Sequence, residues 1–262
     1  MPPSNIPPAP AAPPFALTAW EIPGLVHGFC GRAGGVGTGP FATFNLANWV
    51  GDDAGTVAEN WRRWDARYPN LRVARLAQVH GKRVRQIDFT HDEKRREGDG
   101  MVTATPGIAL GVFTADCVPI LMVDAERRVA GALHAGWRGT LAGIAGEGIR
   151  AMVALGARPS AIRAALGPSI GICCFEVDAG LAEEFATEVP GARKHSRTGK
   201  PGKAYLNLRA IIHVQLEHEG LEATSIVKVG PCTRCANDLY FSRRGAGGAT
   251  SGLQMSFIGF AD

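Results

Sequence analysis

The chain reads as an α+β protein, a single domain of mixed β-sheets sandwiched by helices. Three observations lead there. Short apolar runs bounded by glycine and polar residues recur along the chain, as buried strands do. Glycine is abundant, at 34 of 262 residues, which argues against a mostly helical protein. Strand-like and helix-like segments alternate without a regular strand–helix–strand rhythm, so a mixed-sheet sandwich fits better than a doubly wound fold.

The first residues, 1–18, are proline-rich, lack a basic or apolar leader region, and are expected to form an extended disordered tail, leaving 19–262 as the domain. Ala19 to Phe29 enters as a strand with His27 near its end. Gly31 to Pro40 is too glycine-rich for regular structure and is not a Walker loop, since no Gly-Lys-Ser/Thr follows. Within it, Arg32 is either a solvated loop arginine or an anion clamp. Asp52 or Asp53 can cap a helix to Arg67. Leu76 to His80 reads as a short strand ending in histidine, and Val84 to Phe89 as another, followed by a charged loop from Thr90 to Glu97. The most informative stretch follows. Ala109 to Thr114 delivers Asp116 and Cys117, and Val129 to Leu133 delivers His134 and a glycine turn containing Arg138. Beyond it, Leu141 to Leu155 has a 3.6-residue apolar period and stops at Gly156. A strand at Ile162 to Leu166 comes next. Helices are expected after Asp178 and after Asn207, with a polar, mobile loop at Pro190 to Lys203 between them. Strands at Ser225 to Val229 and Gln254 to Gly259 complete the chain.

Charge and composition exclude several classes. The net charge is only +4 and aromatics make up 7%, with no basic stripe of the nucleic-acid-binding kind. The basic runs Lys94-Arg95-Arg96 and Arg193 to Lys203 read as solvated loops. No apolar run reaches the roughly 18 residues of a membrane span. Six cysteines in a chain of this length with no leader suggest reduced thiols and a cytoplasmic location.

His80, Cys117 and His134 share a context of apolar strand, ligand-type residue, then glycine or a tight turn. Two imidazoles and one thiolate make a catalytic-type zinc set with an open fourth position. Two core histidines and a buried thiol fit the pattern as well. Asp116 would orient a ligand histidine from behind. His27 is a fourth candidate, with a structural or supporting role. His91, His195, His213 and His218 read as surface residues. Cys232-Thr233-Arg234-Cys235 is a lone CxxC. Cys173-Cys174 lacks the spacing of a second zinc pair, so these read as ordinary thiols.

Several motifs together resemble the multicopper polyphenol oxidase (laccase-domain) family, also known as the YfiH-like or purine nucleoside phosphorylase family. They are Val26-His27-Gly28-Phe29 with Arg32 to Val36, Phe44-Asn45-Leu46, Gln78-Val79-His80-Gly81, Asp99-Gly100, Thr114 to Ile120, His134 to Thr140, Gly167 to Gly171 with Cys173 to Val177, and Cys232-Thr233. The resemblance covers roughly residues 20–260. It implies the YfiH-like fold and a zinc site on His80, Cys117 and His134, with copper as the other possible ion. It further implies phosphorolysis of adenosine, inosine, guanosine and methylthioadenosine to the free base and ribose 1-phosphate, with adenosine deamination as a second activity. Purine nucleosides and phosphate are then the partners, with no nucleic acid, membrane or obligate protein partner. Arg32, Asn45 and Arg138 fall in family motifs near the expected pocket, and Arg32 and Arg138 are the candidates for holding phosphate. Two rival activities remain: a copper-dependent polyphenol oxidase, and a cysteine hydrolase or amidase editing peptidoglycan precursors with Cys117 and His134 as nucleophile and base. The chain departs from the family pattern at Arg243, where a tyrosine is usual, at Leu253, where an arginine is usual, and at Cys30, where serine or threonine is common. The first two departures put any contact made there, and substrate preference, in question.

Overall fold

The computed structural model describes residues 20–88 and 96–261; the proline-rich start, His91 and the Lys94-Arg95 pair lie outside them. Thirteen strands and five helices follow one another in these segments. The strands are β1 Leu25–Phe29, β2 Arg72–Ala74, β3 Val84–Gln86, β4 Gly100–Thr103, β5 Ile108–Thr114, β6 Val118–Asp124, β7 Val129–Ala135, β8 Ile162–Leu166, β9 Glu176–Asp178, β10 Ser196–Thr198, β11 Lys203–Leu206, β12 Ile226–Lys228 and β13 Gln254–Phe260. The helices are α1 Ala54–Arg67, α2 Trp137–Leu141, α3 Ile144–Ala154, α4 Ala179–Glu188 and α5 Leu208–His218.

A four-stranded sheet, ordered β1-β13-β5-β2, faces a six-stranded sheet, ordered β12-β8-β6-β7-β4-β3, and a small sheet β10-β11-β9 lies to one side. Most neighbours are antiparallel; β12 with β8, β2 with β5 and β3 with β4 run parallel. The continuous apolar runs of the sequence have a direct cause: these strands are buried on both faces. Along β6, Leu121 and Val123 point between the two large sheets, while Ile120 and Met122 point to the helical side. On β7, Ala130 and Ala132 face the other sheet, and Leu133 faces the helices. On β5, Leu110 and Val112 face inward, and Ala109 and Phe113 face the layer containing α1. The side-chain period of two thus builds three apolar layers from a few strands.

The helices cover the outer faces. Asp53 caps α1 by accepting a hydrogen bond from the Thr56 N–H at 2.7 Å. Helix α1 turns Val57, Asn60 and Trp64 inward, and the Trp64 ring meets Phe257 of β13 at 5.4 Å. Asn207 caps α5 through the Ala210 N–H, and the helix buries Leu208, Ile211, Ile212 and Leu216 against the six-stranded sheet. Helix α3 sits so close to β7 that a Cβ at Gly148 would lie 2.6 Å from Leu133.

Four local expectations are corrected. The helix expected from Leu141 to Leu155 starts three residues later, at Ile144: Leu141 ends the separate short helix α2, and Gly143 between the two adopts φ +83°, a conformation glycine takes without strain. His80 does not end a strand: β2 stops at Ala74, and His80 lies in an irregular segment with φ +61°. Asp178 stands at the N-cap of α4 without capping it, because its carboxylate pairs with Lys203 at 2.5 Å instead. The loop expected from Pro190 to Lys203 contains a 3-10 turn and β10, which β11 pairs with residue by residue.

Candidate metal centre and substrate cleft

The short connection from β5, in the four-stranded sheet, to β6, in the six-stranded sheet, carries Cys117, and the next strand, β7, carries His134 near its end. Their neighbourhood follows from sheet register, since Pro119 lies opposite His134. His80 arrives from another part of the chain and is fixed by two devices. The Gln78 side chain exchanges two 2.8 Å hydrogen bonds with the Phe113 backbone, so it acts as a strand partner at the end of β5. The Asp99 carboxylate then accepts the backbone N–H groups of Val79, His80 and Gly81 at 3.3, 2.9 and 2.7 Å. Three amides converging on one carboxylate hold His80 in its left-handed conformation.

The result is a trio. The ligand-type atoms of His80, Cys117 and His134 all lie within 4.8 Å of one another. A tetrahedral ion with bonds of about 2.0–2.3 Å needs ligand spacings of about 3.3–3.8 Å, so the three close on it by small movements. The two imidazoles meet edge to face at 4.8 Å. His134 is buried, and its Nδ1 contacts Asp99 Oδ1 at 2.8 Å, which leaves Nε2 as its ligand atom. Burial raises the Cys117 thiol, but His134 and His80 draw it down to about 6. Burial lowers His134, but Cys117 and Asp99 raise it to about 9. Burial likewise pushes the Asp99 carboxyl up, while His134 and the amides of Gly81 and His80 hold it below the usual carboxylate range. Without a metal, the trio therefore stores a thiolate beside an imidazolium. This is the donor set a divalent cation takes up on releasing protons. Gly136 keeps the space clear: a Cβ there would lie 3.1 Å from both Cys117 Sγ and the His80 ring.

The carboxylate behind a ligand histidine is Asp99, not Asp116 as expected. Asp116 sits at φ +104°, and its carboxylate turns to the C-terminal loop, accepting from the Thr233 and Ser242 hydroxyls and the Arg244 N–H at 2.7 Å each. Asp99 carried a signal in the sequence, an aspartate before the glycine that opens β4, but nothing local tied it to His134. His27 stays apart from the trio. It pairs with Ile258 within the four-stranded sheet and packs its ring against Trp20 at 5.0 Å. Of the histidines expected at the surface, His213 is half-buried on α5, with an Nδ1 that is out of solvent.

The trio opens into a cleft of about 780 Å³. Its walls include Trp49, Phe113, Arg75, Arg243, Ser251 and Leu253. The three residues expected to bind substrate are not among its lining. Arg32 donates to the Ala42 and Asn237 carbonyls, both at 2.6 Å, and lies over Phe241, so it ties two loops together. Asn45 is fully buried, donating to Ala47 O and Asp52 and accepting from Ala47 N and Leu253 N. Arg138 is exposed on α2, over the face of Trp137. The cleft carries different guanidinium groups. Arg75 lies against Trp49 and Trp61, and its Nη1 is buried with no acceptor among the described residues. Arg243 is the residue that departs from the family pattern, and so is Leu253.

The chain is 42% identical over 215 residues, 81% of its length and 84% of the other, to the Mycobacterium tuberculosis protein named purine nucleoside phosphorylase Rv2149c. It is 35% identical over 222 residues, covering 80% and 85% of the two chains, to a protein named adenosine deaminase RL5 from an unknown prokaryotic organism. The crystal structure of YlmD from Geobacillus stearothermophilus superposes with a TM-score of 0.85 at 33% identity, covering 91% of this chain and 93% of that one. The family model described as multi-copper polyphenol oxidoreductase laccase matches residues 26–261, and the chain belongs to that family.

Proposed function

We propose that the protein is a zinc-dependent purine nucleoside phosphorylase, with adenosine deamination as a side activity. The observation that carries this reading is the cleft itself: an aromatic wall and two guanidinium groups share one nucleoside-sized space with the His80–Cys117–His134 trio. The names of the relatives support it.

In this reading Trp49 and Phe113, which meet edge to face at 5.1 Å, offer the purine an apolar corner, one ring to stack on and the other against its edge. Arg75 and Arg243 replace Arg32 and Arg138 as the phosphate-binding residues. The buried Nη1 of Arg75 lacks an acceptor, and burial lowers the pKa of its guanidinium, so an anion there satisfies both the donor and the charge. A phosphate oxygen bonds to the anomeric carbon as the bond to the purine nitrogen breaks, and the electron pair leaves with the base. When bound, zinc supplies Lewis-acid stabilisation of charge developing on the substrate. Asp99 holds His134 and the His80 backbone in place throughout.

The test is phosphate-dependent release of ribose 1-phosphate from adenosine by the zinc-loaded protein. Activity is expected to fall to background in His80→Ala together with metal content. Absence of turnover in the wild type, or full activity in Cys117→Ala, would overturn the assignment. The copper oxidase reading rests on the same two-histidine, one-cysteine donor set and on the description of the family model. It predicts an intense visible absorption and phenol oxidation after copper loading. The phosphorylase reading predicts neither.

A further inference from the structure

The fold assembles a second group of ligands that the sequence spacing hides. Cys173 and Cys174 follow the turn after β8, and Cys232 and Cys235 follow β12, the parallel neighbour of β8. Because these strands run side by side, the loops leaving them meet. Ser169 bridges to Cys232, and the Thr233 N–H donates to Ser169 O at 3.1 Å. The four sulfurs then lie within 4.8 Å of one another, with Cys235 Sγ 3.6 Å from Cys173 Sγ and 3.4 Å from Cys174 Sγ. We propose that Cys173, Cys174, Cys232 and Cys235 form a second, structural zinc site, separate from the His80–Cys117–His134 trio.

Geometry carries the argument. Zinc–sulfur bonds of about 2.3 Å place the corners of a tetrahedron about 3.8 Å apart; the two shortest contacts, 3.4 and 3.6 Å, lie just inside that value and all four sulfurs fall within 4.8 Å of one another. The backbone is shaped for a thiolate: the Gly171 N–H points at Cys232 Sγ at 3.2 Å, and the amides of Cys235 and Arg234 favour the same sulfur's charged form. Glycine at 171 keeps the cradle open, since a Cβ would press to 3.2 Å on Cys173 Sγ and 3.3 Å on Cys232 Cβ. Binding one Zn²⁺ with loss of four protons leaves a net charge of −2, half of which the adjacent Arg209 guanidinium offsets; Arg209 is anchored to Gly230 O at 2.8 Å. Cys173 and Cys235 are exposed, so an ion has a path in.

The site has a structural consequence for the first one. Thr233, between the two CxxC cysteines, donates its hydroxyl to Asp116, the neighbour of Cys117. A metal that locks the Cys232 loop to the Cys173–Cys174 turn thereby steadies the β5–β6 connection bearing Cys117. By spacing alone these four residues read as ordinary thiols, because Cys173-Cys174 is not a zinc pair; parallel strands supply the proximity that spacing lacks.

Metal analysis of zinc-loaded, exhaustively dialysed protein tests this. Wild type is expected to hold one more zinc equivalent per chain than Cys235→Ser, and Cys173→Ser is expected to show the same loss. His80→Ala removes the other equivalent and retains this one, so the two sites fail independently. Cobalt-loaded wild type minus cobalt-loaded Cys235→Ser is expected to show intense thiolate-to-cobalt charge transfer. Equal zinc content in wild type, Cys235→Ser and Cys173→Ser would overturn the proposal. So would a disulfide among these four cysteines, found by peptide mapping of the zinc-loaded protein.

Discussion

At the scale of single residues, the site depends on groups that never touch substrate. Asp99 joins the two arms of the trio, binding His134 through one oxygen and the His80 segment through backbone amides. Asp99→Asn removes the charge that orients His134, and zinc affinity is expected to drop by about 10–100-fold, measured by chelator competition. An unchanged affinity would mean that Asp99 serves only the backbone. The Cys117 thiol, drawn to about 6, gives a second prediction. Its thiolate fills as pH rises through that value, so alkylation of metal-free protein at Cys117 should inflect near pH 6, below the range of ordinary thiols. Bound zinc should protect it. An inflection above pH 8 would show that the imidazoles do not stabilise the thiolate. Arginines separate the two accounts of phosphate binding. Arg75→Ala is expected to raise KM for phosphate by about tenfold or more, the loss of a charge-assisted contact, with kcat less affected, whereas Arg138→Ala leaves it unchanged. The reverse pattern would restore Arg138, an expectation the cleft does not support.

At the scale of elements, the sequence is legible where a local rule has no rival. Asp53 and Asn207 accept hydrogen bonds at the starts of α1 and α5, as their types predict. Asp178 has the same chemistry and position but is drawn to Lys203 across a sheet edge. Replacing Asn207 with alanine should cost about 1 kcal/mol in a denaturation experiment, while Asp178→Ala, which loses only an exposed pair, should cost clearly less. Equal losses would mean that Asp178 supports its helix in solution. Gly136 belongs to this scale because it joins β7 to α2. Gly136→Ala places a methyl group against Cys117 and His80 while leaving a permitted backbone at φ −74°. Zinc affinity should therefore fall with little change in melting temperature. A large stability loss with normal metal binding would locate its role in the fold.

For the whole molecule, two large sheets share one apolar interior, and β5, β6 and β7 are buried on both faces. Leu121 sits fully buried between the sheets. Leu121→Ala should destabilise the fold by about 2–5 kcal/mol, read as a lowered denaturation midpoint. Cys117 and His134 sit at the ends of these same strands and Gln78 ties the His80 segment to β5, so the rigid interior sets the geometry of the trio. The positions Arg243 and Leu253 enter the cleft from the C-terminal segment that precedes β13. Both depart from the family pattern at the cleft wall, where substrate is proposed to sit, whereas the third departure, Cys30, is buried in the apolar layer under α1.

The sequence by itself determined the class of the fold and the chemistry of the trio. Double-sided burial writes strands as continuous apolar runs, and two histidines and a cysteine beside such runs carry their ligand character in their side chains. Tertiary structure decided what local patterns do not encode. Asp99 meets His134 across 35 residues, and Cys235 meets Cys173 across 62. Arg75 and Arg243 share a cleft, while Arg32 and Asn45 are used up in holding loops. The physical reason is range: capping and strand burial act between near neighbours or through a period. Which carboxylate, thiol or guanidinium completes a site depends instead on which loops the sheet order brings side by side.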